Sequence, residues 1–172
     1  MNAPNPSQPA GPAVPPAPDS PASSASTSPA ESLDSIRDHA VIAGFGVPGR
    51  AVAEMLSRRK IPFCVIELNP TTVQRCSLAG VHIVEGSADS ETVLRSAGIA
   101  RASLFVLALP NDPAVLESIR LARQLNGHLR IIARCRYIST GMEAHRRGAT
   151  EVIVEEQTVA REFTDRLQHY LT

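Results

Sequence analysis

The chain has 172 residues, 17 basic and 17 acidic side chains and a formal net charge of zero. With 3% aromatic residues and no sustained basic stripe beside them, that balance argues against nucleic-acid binding. No window approaches the ~20 apolar residues of a membrane span. The N-terminus also lacks the basic and continuous apolar regions of a signal peptide, so the expectation is a soluble, cytoplasmic chain.

Residues 1–30 hold nine of the 14 prolines and a single charge, Asp19. Too few large apolar groups are present there to offset the ordering entropy. Residues 1–37 are therefore expected to form a disordered Pro/Ala/Ser-rich tail with local polyproline character. Residues 38–172 are expected to form one folded domain, long enough to bury one good core. The three cysteines are odd in number and fit no C-x-x-C spacing. Cys64 and Cys135 lie in apolar runs and read as buried structural thiols. The five histidines show no metal-ligand spacing.

From residue 39, short apolar runs alternate with helical stretches. "HAVIAG" (39–44) opens as a strand. A helix follows from Pro48 to Arg59, with the proline in its first turn, where no N–H is needed. "PFCVIE" (62–67) and "VHIVEG" (81–86) are the next strands. A helix over 90–97 is capped by Asp89 or Ser90 and ended by Gly98. "SLFVLAL" (103–109) precedes a helix with Asp112 as N-cap, Pro113 as its first residue and Gly127 as its close. "RIIARC" (130–135) leads to a helix opened by Ser139 or Thr140 and ended by Gly148. After "EVIV" (151–154), "EEQTVAREFTDRLQHYL" (155–171) is a final amphipathic helix with Val159, Phe163, Leu167 and Leu171 at i, i+4 spacing. The runs are nearly continuous in apolar residues, as in parallel strands covered on both faces. Six strands and six helices in alternation predict an α/β fold: a doubly wound, parallel six-stranded Rossmann sheet of order 3-2-1-4-5-6.

"AGFGVPGR" (43–50) carries G-x-G-x-x-G between the first strand and the first helix. Gly44 permits a tight turn, Gly46 lets backbone approach a phosphate, and Gly49 allows close helix–strand packing. The helix N-terminus offers N–H groups and a positive dipole end, although Pro48 withholds one donor. Glu67 ends the second strand where a dinucleotide site places an acid for the ribose hydroxyls, and it would repel a 2′-phosphate. Phe45, Val47 and Leu68, beside these residues, complete this part of the candidate site. Gly86-Ser87-Ala88-Asp89 follows the third strand, beside the adenine end of such a site. Arg134 and Arg136, two apart, would share one face of a strand and could meet phosphates or a neighbouring subunit. The bland alternatives are glycines that serve packing alone and strand-end arginines that are merely solvated.

Together, "HAVIAGFGVPGRAVAEML", "VIELNP", "EGSADSETVLRSAGI" and "RIIARCRYISTGMEAHRRGATEVIVEE" resemble the N-terminal lobe of RCK domains, the Trk/Kef-type NAD-binding regulators of K⁺ conductance, over essentially the whole folded part. The likeness is nearest to the cytosolic domains of Kef-type cation/proton antiporters and K⁺ channels. It implies a lobe that binds an adenine nucleotide (NAD⁺/NADH, AMP, ADP or ATP) and regulates potassium movement through a membrane partner. It places Gly44, Gly46 and Gly49 at the phosphates, Glu67 at the ribose, Ser87 and Ala88 beside the adenine, and Arg134 and Arg136 at distal phosphates. The last helix would be the crossover helix that makes a homodimer, with a ring as a further assembly. Two residues depart from the pattern: Ser87 stands where Asp is common, and Val47 where a charged residue is. The sequence stops just after the crossover helix, so the membrane channel or transporter is expected on a separate chain, with this domain peripheral at the inner membrane face.

Two other classes remain open to such a sequence. A hydride-transfer enzyme usually needs an acid/base group near the nicotinamide. Lys60 is the only lysine and no Tyr-x-x-x-Lys pair exists, so the chain is not read as an enzyme. The remaining alternative is a dimerisation scaffold without ligand, with Ser87 and Pro48 as the residues that would have disabled the pocket.

Overall fold

Each of the six apolar runs forms a strand, and all five strand pairings are parallel. The computed structural model describes residues 38–171; the Pro/Ala/Ser-rich segment 1–37 and Thr172 lie outside the described residues. In chain order the elements are β1 (Ala40–Ala43), α1 (Val47–Arg58), β2 (Phe63–Glu67), α2 (Pro70–Leu78), β3 (Ile83–Glu85), α3 (Glu91–Ser96), β4 (Leu104–Leu107), α4 (Asp112–Leu125), β5 (Arg130–Cys135), α5 (Ile138–Arg146), β6 (Glu151–Val154) and α6 (Glu155–Leu171). A 3₁₀ turn (Ile99–Arg101) joins α3 to β4. The sheet order is β3-β2-β1-β4-β5-β6, as the sequence predicts.

Side-chain alternation divides the core into two layers. Val41 and Ala43 of β1, Phe105 of β4 and Ile131 of β5 pack with Leu94, Ile119 and Ala144, which come from α3, α4 and α5. On the opposite face Ala40 and Ile42 pack against Ala53 and Leu56 of α1. Both faces of β1 are thus covered, and its four residues are all buried. The thiols of Cys64, Cys76 and Cys135 are free and buried. Burial pushes Cys64 up to about 12, and burial aided by the Asp112 charge raises Cys135 to about 11. Both thiols therefore stay protonated at neutral pH and are poor nucleophiles.

Helix boundaries differ from the sequence reading in three places. The N-cap of α4 is Asn111, whose side chain accepts from the Ala114 amide at 3.0 Å; Asp112 is already helical. Asp112 instead accepts from the Arg136 amide at 3.0 Å, tying the β4–α4 turn to the β5–α5 turn. The same helix is closed by Asn126, not Gly127. The Asn126 side-chain Nδ2 donates to the Ile99 and Ala102 carbonyls at 3.0 Å each, with the backbone in an extended conformation that needs no glycine. Finally, α5 starts at Ile138, before Ser139 and Thr140, because a carboxylate from elsewhere satisfies its first amide: Ile138 N donates to Glu156 at 3.2 Å. Ser90 does occupy the N-cap of α3, and Gly98 and Gly148 take the left-handed conformations expected at helix ends.

Coverage of the sheet is uneven. On the α1 side, Ile132 is half-buried and Ile153 is exposed. They floor an apolar groove of ≈ 330 Å³ that runs from Pro48 and Val52 of α1 to Thr158 and Val159 of α6. Helix α6 has no buried residue, and Phe163 in the middle of its apolar stripe is 66% exposed. No helix among the described residues is long and apolar enough to cross a membrane.

Candidate functional site

The sheet reverses its winding between β1 and β4, which pair side by side with Ala43 opposite Leu107. Loops leaving adjacent strands in opposite directions open a crevice at the strand C-termini. Here that crevice is a cavity of ≈ 620 Å³. One wall is the glycine loop, contributing Gly44, Phe45, Gly46, Val47 and Pro48; Glu67 and Leu68 come from the end of β2. Ser87, Ala88 and Asp89 close the β3 side, and Arg134 of β5 reaches in from the other.

Each glycine does a different job. Gly44 has φ +89, a conformation most side chains avoid. Gly49 is buried, and a Cβ there would strike the Gly44 carbonyl oxygen far inside van der Waals contact. It packs α1 onto the loop and does not line the cavity. Gly46 is ordinary in backbone, with φ −69, but a Cβ there would meet nothing nearer than Pro48 at 4.0 Å. The space beside Gly46 is open, as close approach by a ligand requires. First-turn amides of a helix have no intrahelical acceptor. Pro48 has none to offer, and of the first three residues of α1 only Val47 and Pro48 line the cavity.

Glu67 is more committed than the sequence suggests. Its Oε2 accepts from the Phe45 amide at 2.7 Å, and its Oε1 from the Leu68 and Asn69 amides at 2.8 and 2.9 Å. A carboxylate has about four acceptor positions. Three are used, which leaves room for one ribose hydroxyl on Oε2 rather than the pair expected. Glu67→Ala would orphan the half-buried Phe45 amide and is expected to cost about 1–3 kcal/mol in stability, with nucleotide affinity falling alongside. Parallel thermal melts and titrations would check this. A variant that melts like wild type but binds weakly would show that the carboxylate serves ligand alone.

The two arginines separate. The strand ends at Cys135, so Arg134 stays on the α1 face while Arg136 leaves it. Arg136 is exposed, lies 6.0 Å from the Tyr137 ring centre, and lines a neighbouring groove with Pro113 instead of the cavity. The expected shared face is therefore lost, because the Asp112 carboxylate captures the Arg136 amide and ends the strand there. Arg134 lines the cavity and pairs with Glu155 of α6 at 2.6 Å. The β4–α4 turn also lines the cavity, through Ala108, Leu109, Pro110 and Asn111. Sequence reasoning passed over it. The available signal was the rule that a doubly wound sheet binds where its winding reverses.

The TrkA-N domain family matches residues 40–155. The chain is 35% identical over 120 residues to the putative K⁺ efflux antiporter KefB of Alkalimonas amylolytica, covering 70% of this chain and 18% of that protein. It therefore spans about a fifth of the length of that relative. Among solved structures, the TrkA-N domain of the inner membrane protein YbaL from Escherichia coli superposes with a TM-score of 0.75 at 32% identity, covering 77% of this chain and 98% of that one. The GsuK channel bound to NAD gives 0.64 at 26% identity over 70% of this chain and 22% of its own, and GsuK bound to ADP gives 0.64 at 25%, over 70% and 32%. With the glycine loop, the reversal-point cavity and the strand order in place, the chain belongs to the TrkA-N domain family, the Rossmann lobe of RCK-type regulators.

Proposed function

We propose that this domain is a nucleotide sensor that regulates potassium movement through a membrane protein at the cytoplasmic face. The observation that carries the reading is the open glycine loop at the reversal point: Gly44, Gly46 and Val47 line one cavity, the space beside Gly46 is open, and Glu67 lines the same cavity. An adenine nucleotide would set its phosphate over the α1 N-terminus, one ribose hydroxyl on Glu67 and its base beside Ser87 and Ala88. Kinship with KefB and likeness to NAD- and ADP-bound GsuK support potassium transport as the output and an adenine nucleotide as the signal.

The reading is sensing, not catalysis. Among the described residues the cavity wall holds no histidine, lysine or tyrosine, and of its two carboxylates Glu67 is engaged by three amides. The domain acts as a dimer in which α6 of one copy lies against the apolar groove of the other, and nucleotide favours one arrangement of the pair through its differential affinity. Calorimetric titration of nucleotide-stripped protein with AMP, ADP, ATP, NAD⁺ and NADH tests the proposal. Micromolar binding of at least one, with no turnover, is the expected result. Absence of binding to all five would leave a dimerisation scaffold.

A further inference from the structure

Three residues line both the cavity and the apolar groove, Pro48, Ala108 and Arg134, and of these Arg134 carries the charge. Its position follows from strand alternation. Ile131, Ala133 and Cys135 of β5 point into the α3–α5 layer, so Ile132 and Arg134 face α1. Among the described residues Arg134 is the only basic group lining the cavity, where the other charged groups are Glu67, which already accepts from three amides, and Asp89. The guanidinium is already engaged. Its Nε lies 2.6 Å from Oε1 of Glu155, the first residue of α6, with the two side chains 27% and 35% exposed. A phosphate offers a guanidinium the same geometry as a carboxylate, with more charge.

We propose that Glu155 is an internal competitor for the nucleotide's phosphate: it holds Arg134 until a phosphate over the glycine loop takes it, and the exchange releases the first turn of α6. The inference rests on the cavity being a nucleotide site. The surrendered carboxylate sits at the root of the helix whose apolar stripe is exposed, so exchange of one ion pair carries occupancy from cavity to helix. Thr158 Oγ to the Val154 carbonyl at 3.0 Å and Glu156 to the Ile138 amide at 3.2 Å remain to hold that turn.

The test is calorimetry on the full chain with ADP and, as a phosphate-free control, adenosine, using wild type, Glu155→Gln, Glu155→Asp, Arg134→Ala and the Glu155→Gln/Arg134→Ala double variant. Glu155→Gln should tighten ADP by roughly two- to fivefold, the worth of a solvent-accessible ion pair, and leave adenosine unchanged. In the Arg134→Ala background the same substitution should do nothing. Glu155→Asp, too short for the pair, should shift ADP the same way. Hydrogen exchange over residues 155–159 should quicken when ADP is added to wild type and be quick from the start in Glu155→Gln. Unchanged or weaker ADP binding by both Glu155 variants, or equal tightening without Arg134, overturns the inference while the nucleotide site stands. Wild type that binds neither ADP nor any other adenine nucleotide overturns both.

Discussion

Gly49→Ala is expected to lower the melting temperature by about 10 °C, from an overpacking cost of about 3 kcal/mol. The added methyl would collide with the Gly44 carbonyl oxygen, and neither group can step aside. Gly44 is fixed by its amide's bond to the Ile66 carbonyl at 2.8 Å, and α1 is held by Ala53 and Leu56 in the core. Gly46→Ala should behave oppositely. Its methyl enters open space, so stability should change by no more than about 0.5 kcal/mol. Because that space is where a phosphate would approach, nucleotide affinity should fall about tenfold or more. Differential scanning fluorimetry and titration of both variants separate fold from site. A Gly49→Ala protein that melts like wild type would mean that α1 can slide off the loop cheaply. Wild-type affinity in Gly46→Ala would mean that no ligand approaches the loop.

Phe163→Asp is expected to dissociate the proposed dimer, raising its dissociation constant about 30-fold or more, the loss associated with a central aromatic anchor at an interface. The reasoning begins with what α6 lacks. Across 17 residues it buries nothing against its own domain, and Val159, Phe163 and Leu167 form one exposed face. The groove beside its root offers Ile132, half-buried, and Ile153, exposed. Light scattering across a concentration series would read the change. The domain's own stability should be untouched at concentrations where the protein is monomeric, since Phe163 is 66% exposed. A variant that stays dimeric would place the interface on another face.

Most of the architecture was legible because parallel strands covered on two faces leave an unmistakable trace: "VIA", "CVI" and "FVL" have no polar member. The glycine loop was legible for the same local reason, since Gly44 and Gly49 answer to backbone geometry within six residues. What escaped depends on distant partners. Asn111 and Asp112 are equally good caps by chemistry, and only the arrival of the Arg136 amide from another turn assigns Asp112 elsewhere. That contact also ended β5 one residue before Arg136, so two arginines two apart in sequence finished in different grooves. Gly127 looked like a helix stop until Asn126 found carbonyls in the 3₁₀ turn. The β4–α4 turn joined the cavity through strand order alone, which no short motif encodes.

The three amides gathered by Glu67 bear on the energetics of response. Ordering a loop at the moment of association consumes binding energy, and pre-ordering it removes that loss. In this protein the carboxylate has already fixed the Phe45, Leu68 and Asn69 amides during folding, so the rim of the cavity is rigid before any encounter. The rim itself then has little left to rearrange. If a nucleotide binds as proposed, the free energy of association is accordingly kept for elements farther away, and a cradle that barely moves can drive a lever that does.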